Sequence, residues 1–132
     1  MAGSFGDYAE NKILDHITGK TSFTKPTAYV ALSTADPTDD GSGIAEPSGN
    51  GYARVATDAA DWNAASGGAT SNAADISFPT ATGSWGEISH FAIFDAASGG
   101  NMLAHGDLDS PQTISTDQIA RFAAGELDIT LG

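Results

Sequence analysis

With 132 residues and a formal charge of −12, from 17 acidic against five basic side chains, the chain has the length of one domain and an acidity that argues against holding a phosphate backbone. It has no cysteine, which excludes a disulfide framework, a thiolate metal site and a thiol nucleophile. Met1 to Asp7 lacks a basic stretch followed by an apolar one, and no apolar run reaches spanning length, so a soluble chain made in the cytoplasm, without membrane contact, is expected.

In chain order, the first predicted element is a helix over residues 4–20. Ser4 is its expected cap with Asp7 three residues on, Phe5, Tyr8, Ala9, Ile13 and Ile17 lie on one face beside Leu14, and Gly19 stops it. From Thr27 the pattern changes to period two, with Ala28, Val30 and Leu32 alternating against Tyr29, Ala31 and Ser33. Further strands are expected over Tyr52–Thr57 and Asp75–Phe78. Trp85–Phe94 and Met102–Leu108 form a hairpin across the turn Asp95–Asn101. A short edge strand, Gln112–Thr116, and a last strand, Gly125–Leu131, with Leu127, Ile129 and Leu131 inward, complete the set. The run Ile88–Phe94 does not alternate and is expected in mid-sheet, covered on both faces. Asn63–Gly68 and Asp95–Gly100 share Ala-Ala-Ser-Gly-Gly, one turn chemistry used twice.

Seven to eight short strands without recurring helices predict a mainly all-β fold, an antiparallel β-sandwich of jelly-roll type with one N-terminal helix. The chain reads as a single domain over residues 1–132, with the sandwich at 27–131.

No catalytic constellation emerges. There is no G-x-S-x-G elbow, and Gly41-Ser42-Gly43 opens no helix and has no neighbouring lysine. The acidic loop Ala35–Gly51 places Asp36, Thr38, Asp40 and Gly41 as in the start of a calcium loop, but Pro47 stands where a bidentate glutamate is needed, so a solvated turn is the better reading. His90 and His105 come near each other across the hairpin, and partly buried, hydrogen-bonded imidazoles are favoured over a metal pair. No catalytic, cofactor or metal residue is assigned. The candidates for an interface are Phe5, Tyr8, Ile13 and Ile17 of the helix, together with Trp62 and Trp85.

Gly51-Tyr52-Ala53-Arg54-Val55, the segment Phe78–Gly86 (FPTATGSWG), His90–Asn101 (HFAIFDAASGGN) and Phe122–Leu131 (FAAGELDITL) together resemble a family of small tailed-bacteriophage virion proteins commonly labelled tail fibre proteins. Asn11–His16 and Tyr29–Pro37 extend the likeness over Phe5 to Leu131. The resemblance implies a non-enzymatic virion structural protein. A short chain without repeats or heptads is physically like a capsid decoration (cement) protein, a homo-oligomer, first of all a trimer, seated on the major capsid protein or other virion proteins at the head surface. The alternative implied is a tail fibre or baseplate module that binds a host receptor.

Overall fold

The computed structural model describes residues 2–131. Nine strands run in chain order: β1 (Ala2–Phe5), β2 (Tyr29–Ser33), β3 (Val55–Ala56), β4 (Ala69–Ser71), β5 (Ile76–Ser77), β6 (Gly86–Phe94), β7 (Met102–Ile114), β8 (Arg121–Phe122) and β9 (Asp128–Thr130), with one α-helix, α1 (Asp7–Ile17). Seven of them form a curled sheet in the order β3-β2-β6-β7-β1-β9-β4, and β5 pairs with β8 in a small second sheet. The fold is all-β with one helix, as the alternation predicts. Its second layer is the β5–β8 ribbon and the segments around it rather than a second broad sheet.

The hairpin β6–β7 is the centre. The apolar run lies between β2 and β7, and Phe91, Ala92, Ile93 and Phe94 are all buried. On one face Ile88, Phe91 and Ile93 meet Trp85, Phe78, Phe122 and Leu127; on the other, Ala92 and Phe94 meet Ala31, Met102 and Ile44. Rings of Tyr52, Trp85, Phe78, Phe122 and Phe91 follow one another at centroid separations of 5.3–6.5 Å. Each such ring contributes on the order of 1.5–3 kcal/mol by leaving water.

Both Gly-Gly turns adopt the same conformation: Gly67 and Gly68 have φ of 62° and 76°, Gly99 and Gly100 of 61° and 74°. Positive φ at two successive positions favours glycine at both, which explains the repeated Gly-Gly; Gly67–Gly68, between the bridged Ser66 and Ala69, is the two-residue turn whose twist matches that of a hairpin.

Residues 2–5 correct the sequence reading. They form β1, antiparallel to β7 and parallel to β9, so the sheet is not purely antiparallel. Ser4 lies inside this strand, and the helix is shorter than residues 4–20. Its N-cap is Gly6, without a side-chain cap, and Gly19 closes its end with Gly19 N–H to the His16 carbonyl (3.2 Å) and Lys20 N–H to Asp15 (2.8 Å). What admits β1 is a lane without side chains. Gly3 pairs with Gly106, Gly106 pairs with Phe91, and the ring of Phe91 lies over both glycines. A Cβ on Gly106 would stand 2.6 Å from the Ala2 carbonyl oxygen and 2.8 Å from Phe91 Cε1.

Two further boundaries differ. The expected edge strand at Gln112–Thr116 is the far part of β7, which runs through Pro111. Ile88 pairs with Gln112 and His90 with Asp107, so residues 108–111 form a bulge that accommodates the proline. At the end of the chain Leu127 and Ile129 point inward as expected, but Leu131 is 57% exposed.

Candidate functional site

Arg54 is the most heavily bonded side chain of the surface loops. Its Nε and Nη2 donate to Glu46 Oε1 and Oε2 at 2.8 and 2.9 Å, and its Nη1 donates to the Ala96 and Gly99 carbonyls, both at 2.8 Å. The guanidinium also lies 3.8 Å above the centroid of Phe94. The Tyr52 hydroxyl donates to Glu46 Oε1 (2.7 Å) and accepts from the Leu32 N–H (3.0 Å). This network ties the acidic loop to the tip of the central hairpin. It is a structural clasp: every polar atom of the guanidinium fork is directed at a protein oxygen, which is how arginine suits a planar, bidentate role.

The acidic loop is shaped by its own bonds. Thr38 N–H donates to Asp36 Oδ1, Thr38 Oγ1 and Ser42 N–H donate to Asp40 Oδ1, and Pro37 is buried beneath. Hydrogen bonds from Ser42, then from Thr38, hold the Asp40 carboxyl at a pKa of about 2. Burial pushes Glu46 up, but the hydrogen bonds of Arg54 and Tyr52 and the guanidinium charge outweigh it and hold its pKa below the ordinary value. Burial pushes the Tyr52 phenol up. Carboxylates lowered in the folded state stabilise it above their unfolded pKa, and that stabilisation is lost as pH falls through the lowered values. The urea midpoint should therefore decline from about pH 5 toward about pH 2, and Glu46→Gln should be less stable at pH 7 with a shallower decline. A flat wild-type midpoint over that range would contradict this.

The histidines do not converge. His90 Nε2 lies 2.9 Å from Asp107 Oδ1 with Nδ1 2.7 Å from Ser89 Oγ, and His105 Nε2 lies 2.9 Å from Asp39 Oδ1. Each half-buried ring has its own carboxylate, the hydrogen-bonded arrangement the sequence favours. Among the described residues no three His, Asp or Glu side chains gather as a metal ion would need.

The six candidate interface residues separate into three environments. Trp85 is only 4% exposed, donates its indole N–H to the Asn50 carbonyl at 2.8 Å, and belongs to the aromatic core rather than to a surface. Phe5 and Trp62, both half-buried, border a cavity of about 360 Å³ with Ala65, Ala69, Ile129 and Leu131, and no ionisable residue lines it. Tyr8 and Ile13 are half-buried on α1, Tyr8 meeting Phe23 edge to face, whereas Ile17 is 76% exposed. A second cavity, of about 330 Å³, lies beside the bulge of β7 and is bordered by Ile88, Leu108, Ile114 and Ile119. Sequence reading missed this groove because Leu108 and Ile114 are brought together only by the bulge.

The model of one family, podophage GP4 fiber I protein gp80, matches residues 4–130. The chain belongs to this family. No curated protein matches it. Membership in a podophage fibre family makes it a structural protein of a phage virion, as the motif resemblance implies. For a gp80-family fibre protein, surfaces for assembly are the features of interest. No helix among the described residues is long and apolar enough to cross a membrane.

Proposed function

We propose that the protein is a non-enzymatic building block of a fibre on the tail of a podophage particle, working through contacts with copies of itself and with neighbouring virion proteins. The observation that carries this reading is the family match, which over residues 4–130 takes in α1, the clasp and all of the sheet but the first two residues of β1, and names a fibre protein. The surface supports it: the groove bordered by Phe5, Trp62, Ile129 and Leu131 has no ionisable residue in its lining and is suited to burying another protein's side chains. A charge of −12 keeps bodies present in many copies from associating except at such faces.

Immunogold labelling of intact virions with an antibody to the chain tests the placement. Gold on tail-attached fibres is the expected result. Gold distributed over the head lattice would overturn it and support the decoration role that the sequence also allows, with the capsid protein as partner.

A further inference from the structure

The first strand of the chain lies inside the large sheet rather than at its edge. β1 separates β7 from β9 and pairs with both. The slot it fills is selective. A Cβ on Gly3 would stand 2.5 Å from the His105 carbonyl oxygen and 2.6 Å from Phe91 Cζ, so a strand in this slot needs glycine at that place.

Residues 2–23 hold together as one arm. β1 runs into α1 through Gly6. Past the helix, Thr21 N–H donates to the Asp15 carbonyl and Phe23 N–H to His16 Nδ1, both at 3.1 Å. The Phe23 ring meets Tyr8 edge to face at 6.5 Å. The body resumes at Ala28, whose carbonyl accepts from Thr57 N–H at 2.9 Å and from Thr57 Oγ1 at 2.7 Å. Between these anchors lie Thr24, Lys25, Pro26 and Thr27. All four are exposed, and none makes a hydrogen bond or an ion pair with a described residue. Pro26 has no N–H to give and biases Lys25 toward an extended course. A bare four-residue joint thus links a self-contained arm to the body whose sheet the arm completes.

We propose that this arm is exchanged between copies, residues 2–23 of one filling the slot between β7 and β9 of the next. A second copy is the occupant because every copy carries a strand with glycine at the required place. Exchange remakes each bond of the arm on a neighbour, including Gly6 N–H to the Leu103 carbonyl (3.0 Å) and Asp7 N–H to the Asp39 carbonyl (2.8 Å); only the joint changes course. The order of synthesis favours it. The arm emerges first, and its slot is incomplete until β9, at residues 128–130, has followed, so free arms wait beside chains whose slots are still open. Passed head to tail, the arm links copies in a row, and a row that does not close into a ring is a filament. The proposal deepens the fibre reading and rests on it for its biological setting.

Because the chain has no cysteine, introduced thiols report the exchange directly. Ser4 and Thr130 are exposed and are partners in the β1–β9 register, so Ser4→Cys combined with Thr130→Cys places two thiols within disulfide reach. The full chain with both changes is refolded from urea at several concentrations, oxidised, and run on a non-reducing denaturing gel. Exchange joins residue 4 of one copy to residue 130 of another and should give a ladder of covalent multimers. While monomer predominates, a tenfold rise in protein concentration should raise the interchain share about tenfold. An insertion of about six glycine and serine residues after Pro26 frees each arm to enter its own slot and should cut that share several-fold, with circular dichroism to check folding. Disulfides confined within single chains, or a ladder equally strong with either cysteine alone, would overturn the exchange. Bands that stop at the dimer would overturn the head-to-tail arrangement, and a share unmoved by the insertion would overturn the role of the joint. Gold on fibres with only intrachain disulfides sinks the exchange alone, whereas gold on heads with a ladder sinks the fibre reading alone.

Discussion

Arg54→Ala is expected to lower the melting temperature by roughly 10–20 °C, the largest loss from any single change in the loops. The side chain is only 6% exposed, and its removal strands the Glu46 carboxylate, 22% exposed, and the part-buried Ala96 carbonyl, while the carbonyl of the exposed Gly99 turns to water. Breaking a buried pair from one side costs about 3–5 kcal/mol, mostly through the charge left behind. The lower part of that range applies here, since Glu46 keeps some access to water and the Tyr52 hydroxyl. Arg54→Lys should recover little, because an ammonium cannot reach both carboxylate oxygens and two carbonyls from one plane. Adding Glu46→Gln to Arg54→Ala should restore part of the loss, and thermal melts of the four proteins in the cycle measure that coupling. Purely additive losses would mean that the pair does not act as a unit.

Asn72→Asp is expected to cost about as much and to respond to pH in the opposite direction to the wild-type carboxylates. Asn72 is fully buried; its Nδ2 lies within hydrogen-bonding distance of the carbonyls of Ala74, Phe122 and Ala123 at 2.9, 3.3 and 3.0 Å, and its Oδ1 accepts from Leu127 N–H at 2.9 Å. One amide thus joins the approach to β5, the end of β8 and the entry to β9. A carboxylate there turns oxygen toward three carbonyl oxygens in a site closed to bulk solvent, a penalty of at least about 3 kcal/mol. The pKa of the new acid is raised in the folded state, so its ionised form destabilises most above the ordinary aspartate range, and the loss shrinks as pH falls below about 4. Urea midpoints of variant and wild type should converge on acidification. Curves that stay parallel would refute the argument.

Much of the fold was legible because it was written in short-range signals. The run Ile88–Phe94 has no alternation, and it is covered on both faces. The two Ala-Ala-Ser-Gly-Gly turns have matching backbones, and Gly19 ends the helix where expected. Illegible features depend on partners far along the chain. Ala2–Phe5 carries small residues with no strand period, and only the lane cleared by Gly3, Gly106 and the Phe91 ring makes it a strand. The strands at Ala69–Ser71 and Arg121–Phe122 are too short for any periodicity. Of the candidate interface, Phe5 and Trp62 do share a groove, whereas Trp85, an aromatic residue like them, is core. Composition cannot separate an aromatic residue that fills a core from one that borders a groove. Asn72 sits among residues that ordinarily make turns, and nothing local marks it as a buried tie.

The position of β1 has a consequence for the time course of folding. It holds β9 and β4 to the rest of the sheet, and Thr130 Oγ1 donates to the Gly3 carbonyl at 3.3 Å across 127 residues of sequence. A seam joining the two ends of the described chain cannot form on a ribosome until nearly all of it has emerged, and contacts so distant in sequence make folding slow. If that seam forms after the transition state, it acts mainly on the unfolding rate. A particle component that must persist outside a cell is then protected by a slow exit from the native state, and Ala2–Phe5 is the latch.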